Sequence, residues 1–175
     1  MGDELKADCE IPAESITCLQ VPHIEQREDW YCGLACAKMI LNFIYPEDED
    51  RLSNIDDFCE RLGFGQSVWT IDLAHLIVQY SVKHQLYTIT LGVDPTYQGV
   101  SFYNRIIQSE FTAEQERVNQ LFASAASKGI QVEKRSVTSA EIAAHLSSQN
   151  PAIILVDNTI LHCEWCVQNR ARQVQ

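Results

Sequence analysis

The stretch Gln26-Arg27-Glu28-Asp29-Trp30-Tyr31-Cys32-Gly33-Leu34-Ala35-Cys36 holds the residue types best suited to covalent chemistry in this chain. From Gly33 to Tyr45 almost every residue is apolar, Lys38 and Asn42 apart, which predicts a buried helix with Cys32 at its first turn. Unpaired backbone N–H groups and the positive end of the helix dipole meet there, and both favour thiolate over thiol. A sulfur so placed is a candidate nucleophile for acyl transfer. Gly33, having no side chain, leaves room for a carbonyl to approach it. Gln26 precedes Cys32 on the incoming segment and can point its side-chain amide at the same place, completing an oxyanion hole with the Cys32 backbone N–H. Cys32 and Gln26 are therefore the catalytic candidates.

A thiol nucleophile also needs a base, and histidine is the usual one. His23 lies just before Gln26, which would set its ring above the loop rather than opposite the helix tip. His75 falls on the polar stripe of a predicted helix with Asp72 and Gln79 and reads as a solvated surface residue. His84 and His145 sit near helix ends and read as surface or half-buried residues. Cys36, one turn beyond Cys32, reads as core, since free cysteine packs as a small hydrophobe. Cys9, Cys18 and Cys59 show no partner pattern. Leu161-His162-Cys163-Glu164-Trp165-Cys166 contains a Cys-x-x-Cys, half of a zinc knuckle, with His162 an awkward third ligand beside Cys163. The pair reads as unligated thiols, with metal binding or redox pairing the alternative, so no metal and no cofactor is assigned.

The run Gln26 … Asp29-Trp30-Tyr31-Cys32-Gly33-Leu34-Ala35-Cys36-Ala37-Lys38-Met39-Ile40-Leu41 resembles the first motif of papain-like cysteine peptidases of the double-glycine-leader-processing type. Together with Gln66-Ser67-Val68-Trp69-Thr70-Ile71-Asp72-Leu73-Ala74 and the stretch 152–166, it is most similar to the guanylyl cyclase domain-containing protein 1 family and its plant guanylyl cyclase-like relatives. The resemblance implies a papain-like fold with Cys32 at the nucleophile position and Gln26 at the oxyanion position. It also implies a histidine base and an orienting carboxylate or amide on later strands, and nothing after Cys166 resembles them. Residues 167–175 are polar, unpatterned and unlike the family. The expectation is a C-terminally truncated form, hydrolytically inactive for want of its histidine. The family name further implies nucleotide cyclisation, which needs a phosphate cradle and metal-binding acids. No Gly-x-x-x-x-Gly-Lys-[Ser/Thr] loop occurs, and Gly63, Gly65, Gly92 and Gly99 form no such cradle. Cyclase activity stays as an alternative.

Around the Cys32 motif the sequence divides into 1–20, an acidic lead-in, 21–166, a single domain, and 167–175, the divergent tail. Ser67–Val82 predicts a second helix and Leu86–Leu91 a strand, followed by a long loop over 92–108. Thr112 with Gln115 and Thr138 with Glu141 are capping-box pairs, opening helices that run to Lys128-Gly129 and to the residues before Pro151. Ile130–Arg135 predicts a short strand and Ala152–Val156 a buried one. The fold class is α/β in an α+β layout, the papain-like type, with its helix against a small, incomplete antiparallel sheet.

Composition sets the outer limits. The 175 residues are 46% hydrophobic and 21% charged, which fits an ordinary soluble globular chain long enough for a real core. A net charge of −11 opposes a nucleic-acid or anionic-membrane partner. The acids concentrate in residues 1–30 and 41–60, and the run Glu47-Asp48-Glu49-Asp50 supports a competing reading as a non-catalytic module that recruits an unidentified basic protein partner. Seven cysteines behind a start, Met1–Glu10, without the pattern of a signal peptide predict a reducing, cytoplasmic location.

Overall fold

A computed structural model of the chain describes residues 17–26, 28, 30–48, 52–64, 68–93 and 111–156. Helix α1 (Cys32–Ile44) follows from the apolar run after Cys32, and it buries Leu34, Ala35, Ala37 and Leu41 along one side. Its remaining apolar residues are half-buried, so α1 flanks the core instead of running through its middle as the sequence predicts. A short helix, α2 (Ile55–Arg61), has no counterpart in the sequence reading. Its signals are modest: Asp56 and Asp57 in the first turn, Arg61 in the last, and Gly63 just beyond at φ 72°.

The central element is α3 (Thr70–Gln79), in which Ile71 to Ile77 are all buried. One side of α3 packs with α1 and α2 in a cluster of Leu34, Ala37, Leu41, Ile55, Cys59, Leu73, Leu76 and Tyr80. Its other side meets a second cluster that includes Ile71, Ala74, Val118, Ala125 and Ile130. A helix covered on both faces must bury its polar residues too, which corrects the polar stripe expected for Asp72 and His75: both are fully buried.

Strand β1 (Gln85–Thr88) precedes helix α4 (Phe111–Ala125), which continues through a 3₁₀ turn, Ala126–Lys128, to Gly129 at φ 78°. Strand β2 (Gln131–Lys134) then pairs with β1 in parallel, Leu86 opposite Val132 and Tyr87 opposite Glu133. The mixed α/β layout is as expected, whereas the expected antiparallel sheet is corrected. A helix lies between the two strands in the chain, and such a crossover returns the second strand in the same direction. Thr112 and Gln115 fall inside α4 and do not cap it. The second capping box forms at α5 (Ser139–Ser147), where Glu141 N–H donates to Thr138 Oγ1 at 3.2 Å and Thr138 N–H donates to Glu141 Oε2 at 2.8 Å.

Ala152–Val156, expected as a buried strand, takes no regular structure, and Ile154, Leu155 and Val156 are 51%, 74% and 50% exposed. Within it only Ile153 packs inward, against the cluster shared by α1, α2 and α3, and the segment joins no sheet among the described residues. Most of the expected loop over 92–108 lies outside the described residues, as do the tail 167–175 and most of the lead-in.

Candidate functional site

Cys32 is the first residue of α1 and its thiol is exposed. The residue before it, Tyr31, contributes no side-chain cap, and no acidic residue lies in the first turn. Tyr31 is fixed by other means. Its ring stands edge-on to Trp30 at 5.5 Å, its hydroxyl donates to Asp56 Oδ1 at 3.3 Å, and Lys38 Nζ lies 5.2 Å from its ring centre. Lys38 also reaches Asp56 at 2.9 Å, so the start of α1 is tied to the start of α2 beside Cys32. Gln26 is exposed on the irregular segment that enters α1, and no hydrogen bond among the described residues joins it to Cys32.

Gly33 serves packing here. A Cβ on Gly33 would lie 3.3 Å from Leu73 Cδ1 and 3.5 Å from Val68 Cγ1. Its missing side chain is what lets α1 close onto α3, so the space the sequence offered to a substrate is occupied by Leu73 and Val68.

The start of α3 carries a charged cluster that the sequence reading did not find. Trp69 N–H donates to Asp72 Oδ2 at 2.8 Å, closing the first turn. Arg117 of α4 forks onto the same carboxylate, Nη1 to Oδ1 at 2.6 Å and Nη2 to Oδ2 at 3.0 Å. Glu114 accepts from Arg117 Nε at 2.9 Å and from Trp69 Nε1 at 2.9 Å. Burial pushes the Asp72 carboxyl up, and the Arg117 guanidinium opposes that shift. These partners of Asp72 are all donors, so it is an ionised carboxylate paired with Arg117, whose own pKa burial works to lower and the two carboxylates together raise. The available sequence signal is Asp72 itself, a charge between Ile71 and Leu73 in an otherwise apolar run.

His75 is no base for Cys32. Its Nε2–H donates to Leu121 O at 3.0 Å, and its Nδ1 accepts from Lys128 Nζ at 3.4 Å. Burial, with the Lys128 ammonium, holds its pKa below the ordinary value. His84 Nδ1 bonds Val82 O at 2.9 Å and His145 Nε2 bonds Pro151 O at 3.1 Å. His23 is exposed on the entry segment.

Cys36 is half-buried; burial, with Cys32 beside it, raises its pKa. Cys59 is a core thiol pushed up to about 11, chiefly by burial. Cys18, Cys32, Cys36 and Cys59 are all free thiols. Cys9, His162, Cys163 and Cys166 lie outside the described residues, as do Glu49 and Asp50 of the acidic run. Among the described residues no three His, Cys, Asp or Glu side chains are grouped to hold a metal, and no helix is long and apolar enough to cross a membrane.

A family model described as guanylylate cyclase matches residues 21–175, running through the tail that the sequence reading set apart. The protein named Guanylyl cyclase 1 from Arabidopsis thaliana is 35% identical over 166 residues, which cover 94% of this chain and 57% of that protein. The chain thus spans little more than half the length of that relative. No solved structure matches it.

Proposed function

The chain belongs to the guanylylate cyclase family, and from that premise we propose that residues 21–166 form a papain-like, peptidase-related domain with Cys32 as nucleophile and Gln26 as oxyanion donor. The observation that carries this reading is an exposed thiol on the first residue of a 13-residue helix whose opening turn contains no acidic side chain. Negative charge developing on the sulfur, or on an acyl oxygen beside it, meets the helix N-terminus there. Gln26 lies exposed on the segment leading in.

As a 175-residue polypeptide the domain is proposed to be hydrolytically silent. Turnover requires an imidazole at the sulfur. His75, His84 and His145 are committed to backbone carbonyls. Free thiols at Cys18, Cys32, Cys36 and Cys59 accord with a reducing, cytoplasmic setting.

A thiol-directed acylating probe tests the reading. The expected result is a stable adduct on Cys32 that is lost in Cys32→Ala and is not turned over. Rapid turnover with a bell-shaped pH profile would contradict silence, and an unlabelled Cys32 would remove it as the nucleophile.

The name of the Arabidopsis relative favours a second reading, cyclisation of a guanine nucleotide. Metal-dependent conversion of GTP by the purified chain is its direct test, and no conversion with Mg²⁺ or Mn²⁺ present would eliminate it for this polypeptide.

A further inference from the structure

We propose that the cluster of Trp69, Asp72, Glu114 and Arg117 is the positioning device of the Cys32 thiol, an inference that rests on Cys32 being the reactive group. Val68 and Leu73, the two residues that close onto Gly33, bracket Trp69 and Asp72 in the chain. Between them the backbone is pinned by Trp69 N–H on Asp72. Asp72 and Trp69 are in turn held from α4, the first by the Arg117 fork and the second by Glu114. A two-point guanidinium–carboxylate contact fixes both separation and orientation, where an apolar contact allows sliding. The cluster therefore sets where α3 presents Leu73 and where the segment entering it presents Val68, and those two side chains set where Gly33, and Cys32 just before it, can lie. None of the four residues is required to touch a substrate. They act through Gly33.

The pair is also placed to matter energetically. Asp72 is fully buried, and Arg117 retains only 22% side-chain exposure. A charged group kept in such a place, on a helix whose other buried residues apart from His75 are Ile, Leu and Ala, is better explained by a demand for geometry than by stability alone.

The test measures alkylation of Cys32 by iodoacetamide relative to the exposed Cys18 of the same molecule, by peptide mass spectrometry over a range of pH, in the full chain. Near-UV circular dichroism verifies that each variant is folded. Arg117→Met is expected to lower the Cys32-to-Cys18 rate ratio roughly 2- to 30-fold and to alter its pH profile. Arg117→Lys, which keeps a cation but not the fork, gives an intermediate ratio, and it carries the test if Arg117→Met does not fold. Val118→Ala loosens the same α3–α4 packing without touching the ion pair and leaves the ratio unchanged. An unchanged ratio in folded Arg117→Met or Arg117→Lys, or an equal fall in Val118→Ala, would overturn the proposal. A wild-type Cys32 no faster than Cys18 would instead overturn the assignment of Cys32 as the reactive thiol, and the proposal with it.

Discussion

Gly33 lies against Leu73 so closely that a Cβ added to the glycine would stand 3.3 Å from Leu73 Cδ1 and 3.5 Å from Cδ2. Both are flexible side-chain atoms and can yield by a few tenths of an ångström. Alanine also favours a helix over glycine by about 1 kcal/mol. Gly33→Ala is therefore expected to change stability by no more than about 1 kcal/mol, the two effects opposing each other. A bulkier Gly33→Val overpacks the α1–α3 contact and costs about 1–3 kcal/mol. Urea unfolding of both variants checks this, and a Gly33→Val protein as stable as the wild type would show that the contact is not tight.

Asp72 and Arg117 differ in what their loss leaves behind. Arg117→Met strands a carboxylate with no exposure and is expected to cost about 3–5 kcal/mol. Replacing both, as Asp72→Leu with Arg117→Met, removes the stranded charge, although Glu114 loses the guanidinium and the Trp69 backbone N–H loses its acceptor. The double variant is expected to be more stable than Arg117→Met alone. A double-mutant cycle by urea unfolding measures the coupling, and additive single losses would show that the pair does not act as a unit.

How far the chain could be read in advance depended on whether local pattern or distant packing decided each element. The Thr138 and Glu141 pair announces α5 because a capping box is a local bond at a helix start, whereas the same spacing at Thr112 and Gln115 falls inside α4, which already begins at Phe111. The amphipathic reading of α3 failed at His75 because periodicity assumes one wet face, and that face is covered by Leu121 of α4 and by Lys128 of the 3₁₀ turn after it. The strand direction was hidden for a related reason: Leu86 and Val132 become neighbours only through the α4 crossover. The apolar run Ala152–Val156 carries a strand's composition, but composition alone pairs it with no neighbouring strand, and Leu155 stands 74% exposed. At the site, the position of Cys32 on a helix tip was legible. That Gly33 packs against Leu73 was not, because nothing in the sequence marks which helix will approach it.

His75 links stability to pH. Burial lowers its folded-state pKa below the ordinary 6.5, and Lys128 and His84 add to that while Asp72 and the Leu121 carbonyl oppose it. The unfolded chain therefore binds a proton more readily than the folded one. The stability concerned is fully present above the unfolded value of 6.5 and is lost as pH falls toward the lower folded value, by at most about 1.4 kcal/mol per pH unit. Asp72 has the opposite sign: burial raises its pKa, so its own contribution is lost as pH rises through the folded value. Chemical denaturation between about pH 7.5 and 5 is expected to show a declining midpoint in the wild type and a flatter one in His75→Gln. Parallel slopes in the two proteins would exclude His75 as the titrating group.

The cysteines are expected to separate by environment in the folded protein. Cys59 is only 7% exposed and its thiol is pushed up to about 11, mainly by burial, so near neutral pH it is both hidden and protonated. The thiolate is the form that attacks an electrophile, and an occluded thiol reacts only when the structure opens. Cys32 and Cys18 are exposed, so a reagent reaches both without the structure opening. Maleimide labelling under native conditions, mapped by peptide mass spectrometry, should therefore modify Cys18 and Cys32 while leaving Cys59 intact, and added urea should release Cys59 along the unfolding curve. Labelling of Cys59 as fast as Cys18 without denaturant would mean that the contact between α2 and α3 opens readily. The α1 side of the core would then be too loosely held for Gly33 and Leu73 to fix the place of Cys32.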